Sequence, residues 1–361
     1  MTRLTILCEV LHPPLDEGVR IVAAELAHAF SRRLKVTLLG MRDAEVAGLA
    51  VEGVLTDRFF VGSALARSLL AARPEAMLYI PWTSLTPRTL LRVAMLRRRS
   101  PGVPIGVLAM QPRGAGWLAR LGCRLGKPDR VFATGPTVER QATELEIPIT
   151  RLEGGVDLDR FRPRGEESMS DLRKRLGLHT SPYLVLHVGH LKPSRGILAL
   201  KAVQALEGVQ ALLITSTSTA ADADTRRELQ ESGVRVIDHS LPNVDDFYRA
   251  ADCYLFPVTS SLDAIELPLS ILEAMATNLP IITSRFGGVP ELLDGAGPGV
   301  AFAAAQEEFP RLVMAFRKDR PRPALRDRVR SLTWDAMSAR ITEALSGTPE
   351  KPLTRDSEIR G

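Results

Sequence analysis

Aromatic residues make up only 5% of this 361-residue chain, and cysteines number three. The few aromatics are not interleaved with basic residues and no Cys/His spacing suits zinc, so a nucleic-acid role is not expected despite a net charge of +5. Cys8, Cys123 and Cys253 are an odd, scattered set. Cys8 and Cys253 fall in apolar, strand-like runs, so reduced, buried thiols in a cytoplasmic protein are expected. Long hydrophobic runs are missing too. Nowhere do 18 uncharged apolar residues follow one another, and Glu9 breaks the first apolar run before it reaches the length of a signal sequence or a membrane span. Nor is a metal expected: His12, His28, His187 and His239 form no ligand-spaced cluster, and Asp222-Ala223-Asp224 sits in a polar loop. Gly-x-Ser-x-Gly, Cys–His and Walker patterns are absent, which removes the common nucleophile and P-loop classes.

What the chain does have is alternation. Apolar runs of strand length lie at 4–10, 36–40, 76–81, 104–110, 130–135 and 150–155, then at 183–189, 210–216, 234–238, 253–258 and 280–284. Their hydrophobicity is continuous, which marks strands covered on both faces in parallel sheets flanked by helices. Helix-period segments fit between them, as at 19–33, which ends on Arg32 and Arg33. Residues 160–182 are charged, Pro-bearing and poor in apolar residues, the composition of a hinge. Two Rossmann-like α/β domains are therefore expected, with the C-terminal ends of both sheets around one cleft. Charge is uneven: residues 1–150 hold 20 Lys and Arg against 13 Asp and Glu, whereas the remainder holds 27 against 29.

Two constellations carry chemistry. In 266–292, Pro268 suits a first helical turn, with Leu269, Leu272 and Ala276 on the inward face and Glu273 off that stripe. A helix N-terminus after a strand favours phosphate, and a carboxylate slightly further along suits two vicinal hydroxyls. In 184–203, a buried strand ends at Gly189 and its loop carries His190, Lys192 and Arg195, cations that would face the same phosphates. A diphosphate beside a diol describes a sugar nucleotide.

These blocks resemble the family-4 glycosyltransferases. "VGHLKPSRG" is similar to their Gly-Arg-x-x-x-x-Lys-Gly phosphate loop, and "LPLSILEAMATNLPIITSRFGGVPEL" to their Glu-x7-Glu block. "RLEGGVDLDRFRP" (151–163) resembles the signature closing their first domain, and 245–257 and 331–345 their late helix–strand and final helix. The resemblance covers roughly 18–346. It implies a GT-B fold with an acceptor-side domain at 1–160, a hinge at 161–182 and a nucleotide-sugar domain at 183–332. A cross-over helix at 333–346 and a disordered tail at 347–361 would follow. It also implies retaining, metal-independent transfer with no cofactor beyond the nucleotide-sugar donor, to a small-molecule, lipid-linked or glycan acceptor. Donor-binding positions would be Gly18, Gly189, His190, Arg195, Ile265, Glu266, Leu267 and Glu273. Arg195, His190 and Glu266 would be catalytic, and Gln111, Arg113 and Glu17 would lie on the acceptor side.

The sequence departs from that pattern at defined places. His190 stands where the family has Arg, and Arg195 where it has Lys. The first Glu of the pair falls on Ile265, with Glu266 one residue late; Glu273, the ribose-binding member, is kept. One glycine, Gly18, follows Asp16 and Glu17, acids that would repel a diphosphate unless they face the acceptor. Gln111 or Arg113 replaces a His. The departures at Ile265, Gln111 and Asp16–Glu17 support a rival, a catalytically silent GT-B subunit that binds or scaffolds a partner transferase; a nucleotide-sugar epimerase of the same fold is a second rival. Two basic stripes, 86–102 and 116–127 with Trp117, are expected to be ordinary core faces beside solvated arginines rather than a membrane surface.

Overall fold

Strands that are apolar on both sides need helices on both sides, and the chain meets this with two sheets. The computed structural model describes residues 1–113, 116–218, 222–260 and 264–347. The tail beyond Gly347 lies outside the described residues, as does the Trp117 side chain. The first sheet contains β1 (Arg3–Leu7), β2 (Lys35–Gly40), β3 (Ala44–Val46), β4 (Leu49–Gly53), β5 (Ala76–Tyr79), β6 (Ile105–Ala109), β7 (Arg130–Ala133) and β8 (Ile149–Arg151). Their spatial order is β3-β4-β2-β1-β5-β6-β7-β8. All pairings are parallel except the β3–β4 hairpin, whose turn residues Ala47 and Gly48 have φ of 52° and 75°. The second sheet contains β9 (Tyr183–Val188), β10 (Val209–Ile214), β11 (Arg235–Ile237), β12 (Cys253–Phe256), β13 (Ile281–Ser284) and β14 (Val300–Ala303). It is parallel throughout, in the order β11-β10-β9-β12-β13-β14.

The largest apolar cluster runs from Leu4 and Ile6 through Val156 and Phe161 to Leu272 and Ile341, so it belongs to both halves of the chain. Helix Trp334–Ser346 closes the fold by returning to the first domain. Thr333 caps it, accepting from Ala336 N at 3.1 Å, and Asp335 pairs with Arg32 at 2.7 Å. Where the chain crosses between domains, Val156 N donates to Leu332 O at 2.9 Å.

The hinge composition at 160–182 conceals an ordered element. Helix Met169–Arg175 starts on a Ser168 cap, and Arg173 is buried. Its guanidinium donates to Ala250 O at 2.9 Å and Pro182 O at 2.9 Å and pairs with Asp252 at 2.7 Å. The charges there hold the second domain together as well as facing solvent. Asp222 likewise has a structural role: it caps helix Ala223–Glu231 by accepting from Thr225 N at 2.8 Å. All three cysteines are free and buried. Among the described residues, no helix is long and apolar enough to cross a membrane, and no group of three His, Cys, Asp or Glu is placed to hold a metal ion.

Candidate active site

Strand order reverses beside β1 in one sheet and beside β9 in the other, and the loops leaving these strands face each other. Between them lies a cleft of about 350 Å³. The first domain contributes Glu17, Gly18 and Gln111 to its lining; the second contributes Gly189, His190, Arg195, Ile265 and Glu273.

Arg195 is buried at the end of the turn Pro193–Arg195. A Cβ on Gly189 would come within 2.9 Å of His187 Nε2 and 3.4 Å of Arg195 Nη2, so glycine lets both side chains lie under the loop. Buried His187 donates from Nδ1 to Leu255 O at 2.8 Å. Burial, followed by the positive charge of Arg195, pushes its pKa down to about 3. It stays neutral and adds no second positive charge beside the guanidinium. In the same domain, Pro268 is the N-cap of helix Leu269–Ala276, one position before the helix itself. Leu269, Leu272 and Ala276 are buried as expected, which leaves Glu273 on the cleft wall. Tyr248 Oη donates to Glu273 Oε2 at 2.6 Å. Burial outweighs that bond and the Arg160 charge, and carries the carboxyl from its ordinary 4.5 up to about 7.

Glu266 goes elsewhere, which corrects its expected place beside a donor sugar. It is fully buried and absent from the cleft lining. Its carboxylate crosses to the first domain and accepts from Thr137 N at 2.8 Å and Val138 N at 2.9 Å, in the first turn of helix Pro136–Glu144. The position is electrostatically favourable, because unpaired N–H groups and the helix dipole both attract a carboxylate. Any Cβ on Gly135 would collide with Glu266. The Glu266 backbone is used as well: its N–H donates to Met110 O at 2.8 Å, and its carbonyl accepts from Gly288 N at 2.9 Å. That N–H is therefore committed to the first domain and does not face a donor phosphate. Leu267 is buried core and Arg113 lies outside the cleft lining, so these two expectations are corrected as well. Ile265 does reach the cleft, against Gly18, where an added Cβ would sit 3.1 Å from Ile265 Cδ1.

Residues 182–316 match the family described as glycosyl transferases group 1. The chain is 28% identical over 232 residues to the lipopolysaccharide core biosynthesis mannosyltransferase LpsB of Rhizobium meliloti, an alignment covering 60% of this chain and 62% of that protein. It is 28% identical over 172 residues to a putative teichuronic acid biosynthesis glycosyltransferase, TuaC, of Bacillus subtilis, covering 46% and 41%. Over residues 182–316 the chain is similar to the group 1 glycosyl transferases. It spans less than two thirds of the length of these relatives. Similarity of fold extends further: Anabaena HepE, solved with UDP and glucose, superposes with a TM-score of 0.75 at 15% identity over 96% of this chain and 100% of that one. Sucrose-phosphate synthase from Thermosynechococcus elongatus gives 0.74 at 17% identity, over 94% and 97%. The two sheets are thus those of a GT-B fold.

The acids of the single-glycine loop have defined partners. Asp16 reaches the loop after β10, accepting from Thr217 N at 2.5 Å, Thr217 Oγ1 at 2.6 Å and Ser218 Oγ. Burial raises its pKa, but these hydrogen bonds prevail and hold it below the ordinary carboxylate value. Glu17 pairs with Arg20 at 3.4 Å; burial, the larger effect, leaves its pKa raised. Asp16 thus ties the two walls of the cleft together. Sequence reasoning did not single out this bond, nor Tyr248 behind Glu273, because each depends on chain segments far apart in sequence.

Proposed function

We propose that the chain transfers a sugar from a nucleotide-sugar donor to an acceptor hydroxyl, with retention of anomeric configuration and without a metal ion or other cofactor. The observation that carries this reading is the Tyr248-held Glu273 carboxyl in the same cleft as Arg195 and His190. An ionised Glu273 accepts hydrogen bonds from the two ribose hydroxyls. Arg195, with His190 beside it, neutralises the diphosphate as the bond from the anomeric carbon to its oxygen breaks. The acceptor oxygen bonds to the same face of that carbon, and its proton passes to the departing phosphate oxygen. No side-chain base is then required, in keeping with Gln111, whose amide takes no proton, on the acceptor side of the cleft. The Asp16 bridge limits water entry while the donor is bound.

LpsB is named a mannosyltransferase and HepE was solved with UDP and glucose, which supports a nucleotide-sugar donor. The acceptor is read as a small molecule or a lipid-linked or glycan chain. The rival reading, a silent subunit that scaffolds a partner transferase, is favoured by one observation. Ile265 is apolar where a donor-sugar carboxylate is expected, and Glu266 is committed to the other domain. A panel of nucleotide sugars tests both readings. Turnover of one of them by slow hydrolysis or transfer supports the enzyme, whereas calorimetric binding with no turnover of any supports the subunit.

A further inference from the structure

Helix Gly116–Leu125 packs with Ala119, Gly122 and Cys123 inward, all buried, and three leucines outward. A Cβ on Gly122 would lie 3.1 Å from Leu90 Cβ, and one on Gly126, just past the helix, 2.6 Å from Ala94 Cα. Helix Pro87–Arg99 therefore seats in a glycine face. Leu118, Leu121 and Leu125 point the other way, 47%, 47% and 53% exposed, in one stripe at i, i+3 and i+7. Trp82, 44% exposed, adds to the outward apolar surface; Ser84, two residues on, donates to Gln111 O at 2.5 Å, close to the start of this helix.

Along the sequence around that stripe the charge has one sign, and the nearby acid Glu146 pairs with Lys127 at 3.5 Å. From Ala76 to Pro128 the chain holds nine Arg and Lys and no Asp or Glu. Arg92 is buried against Glu9, Arg97 pairs with Asp129 at 2.9 Å, and Arg99 is tied to the carbonyls of Phe60 and Val61. Arg88, Arg98, Arg120 and Arg124 remain exposed. The expectation that both basic stripes are core faces thus holds for helix Pro87–Arg99, where Leu90, Val93, Ala94 and Leu96 are buried, and fails for helix Gly116–Leu125.

We propose that the outward face of helix Gly116–Leu125 lies on an anionic phospholipid bilayer. The leucines enter the boundary between headgroups and acyl chains, and Arg120 and Arg124 meet lipid phosphates. Leucines at helical spacing among arginines, with no carboxylate in the surrounding sequence, match an apolar layer covered by negative headgroups. Trp82 suits the same boundary, since its ring is apolar and its N–H is polar. This proposal does not depend on the chemistry of the cleft.

Co-sedimentation of the full chain with phosphatidylcholine vesicles, with and without phosphatidylglycerol, tests it. Binding is expected only where phosphatidylglycerol is present, and it should weaken as salt rises. The Leu118→Ser/Leu121→Ser/Leu125→Ser variant should partition about a hundredfold or more less strongly. The Arg120→Ser/Arg124→Ser variant should lose about 30-fold. All five side chains are exposed, so both variants should melt as the parent does; if the leucine variant fails to fold, the arginine variant still decides. Absence of vesicle binding, or binding unchanged by these substitutions, would overturn the proposal. So would a dimer in sedimentation velocity that the leucine variant turns into a monomer, because the stripe would then be an interface between copies.

Discussion

Glu273 ties the shape of the cleft to a measurable pH dependence. Its carboxyl is carried from 4.5 to about 7, chiefly by burial, which corresponds to about 3 kcal/mol of preference for the neutral acid. A diol is best held by the carboxylate, so affinity should follow the ionised fraction: about a tenth at pH 6 and about nine tenths at pH 8. The assay is calorimetry with the nucleoside of whichever donor binds, because a nucleoside carries the diol without phosphate and leaves His190 out of the measurement. Its dissociation constant should fall about tenfold between pH 6 and pH 8. Glu273→Ala should remove that dependence and weaken binding at pH 8 by about 1.5–3 kcal/mol. Stability should move in the opposite sense. The folded pKa lies above the unfolded one, so the folded state binds more protons between 4.5 and about 7, and stability drains away as pH climbs through that window. Glu273→Gln should therefore gain stability over the parent at pH 8 and not at pH 4. Nucleoside affinity that is flat with pH, or unchanged in Glu273→Ala, would refute the ribose assignment.

Arg195→Ala should lower turnover by about 10²–10³-fold, with a far smaller effect on the thermal midpoint, if the guanidinium stabilises departing phosphate. His190→Arg should keep or raise activity, because it places a second permanent charge in the loop beside Arg195; a loss of activity would show the loop to be built differently. Glu266→Ala should cost about 1–3 kcal/mol in denaturant unfolding and leave nucleoside affinity alone, since its carboxylate caps a first-domain helix. Weakened nucleoside binding without loss of stability would place Glu266 back in the donor site.

Much of the fold was legible because parallel strands covered on both faces print continuous apolar runs, and the eleven runs that were read all contain strands. The strands that escaped lie at sheet edges or next to one. β3 and β4 pair through a two-residue turn whose first residue is Ala47, not the Asn or Asp that usually marks such hairpins, and β14 is only four residues long. The site was legible where a single element builds it, as with Gly189, His190 and Arg195 on one loop and Glu273 on one helix. It was misread at Glu266. Sequence proximity to Ile265 suggested a shared role, but only the packed domains put a helix N-terminus within reach of the Glu266 carboxylate. The Asp16 bridge was hidden for the same reason, its partners lying some two hundred residues away.

The most direct measurement is proton NMR of the first sugar anomer released or transferred from a nucleotide-sugar panel, with EDTA present throughout. The expected result is turnover of at least one donor, with the product first appearing in the donor's own anomeric configuration and then mutarotating if it is free sugar. A product of opposite configuration, or turnover abolished by EDTA, would contradict retaining, metal-independent transfer. Binding without turnover of any donor, even when candidate acceptors are added, would contradict the enzyme itself.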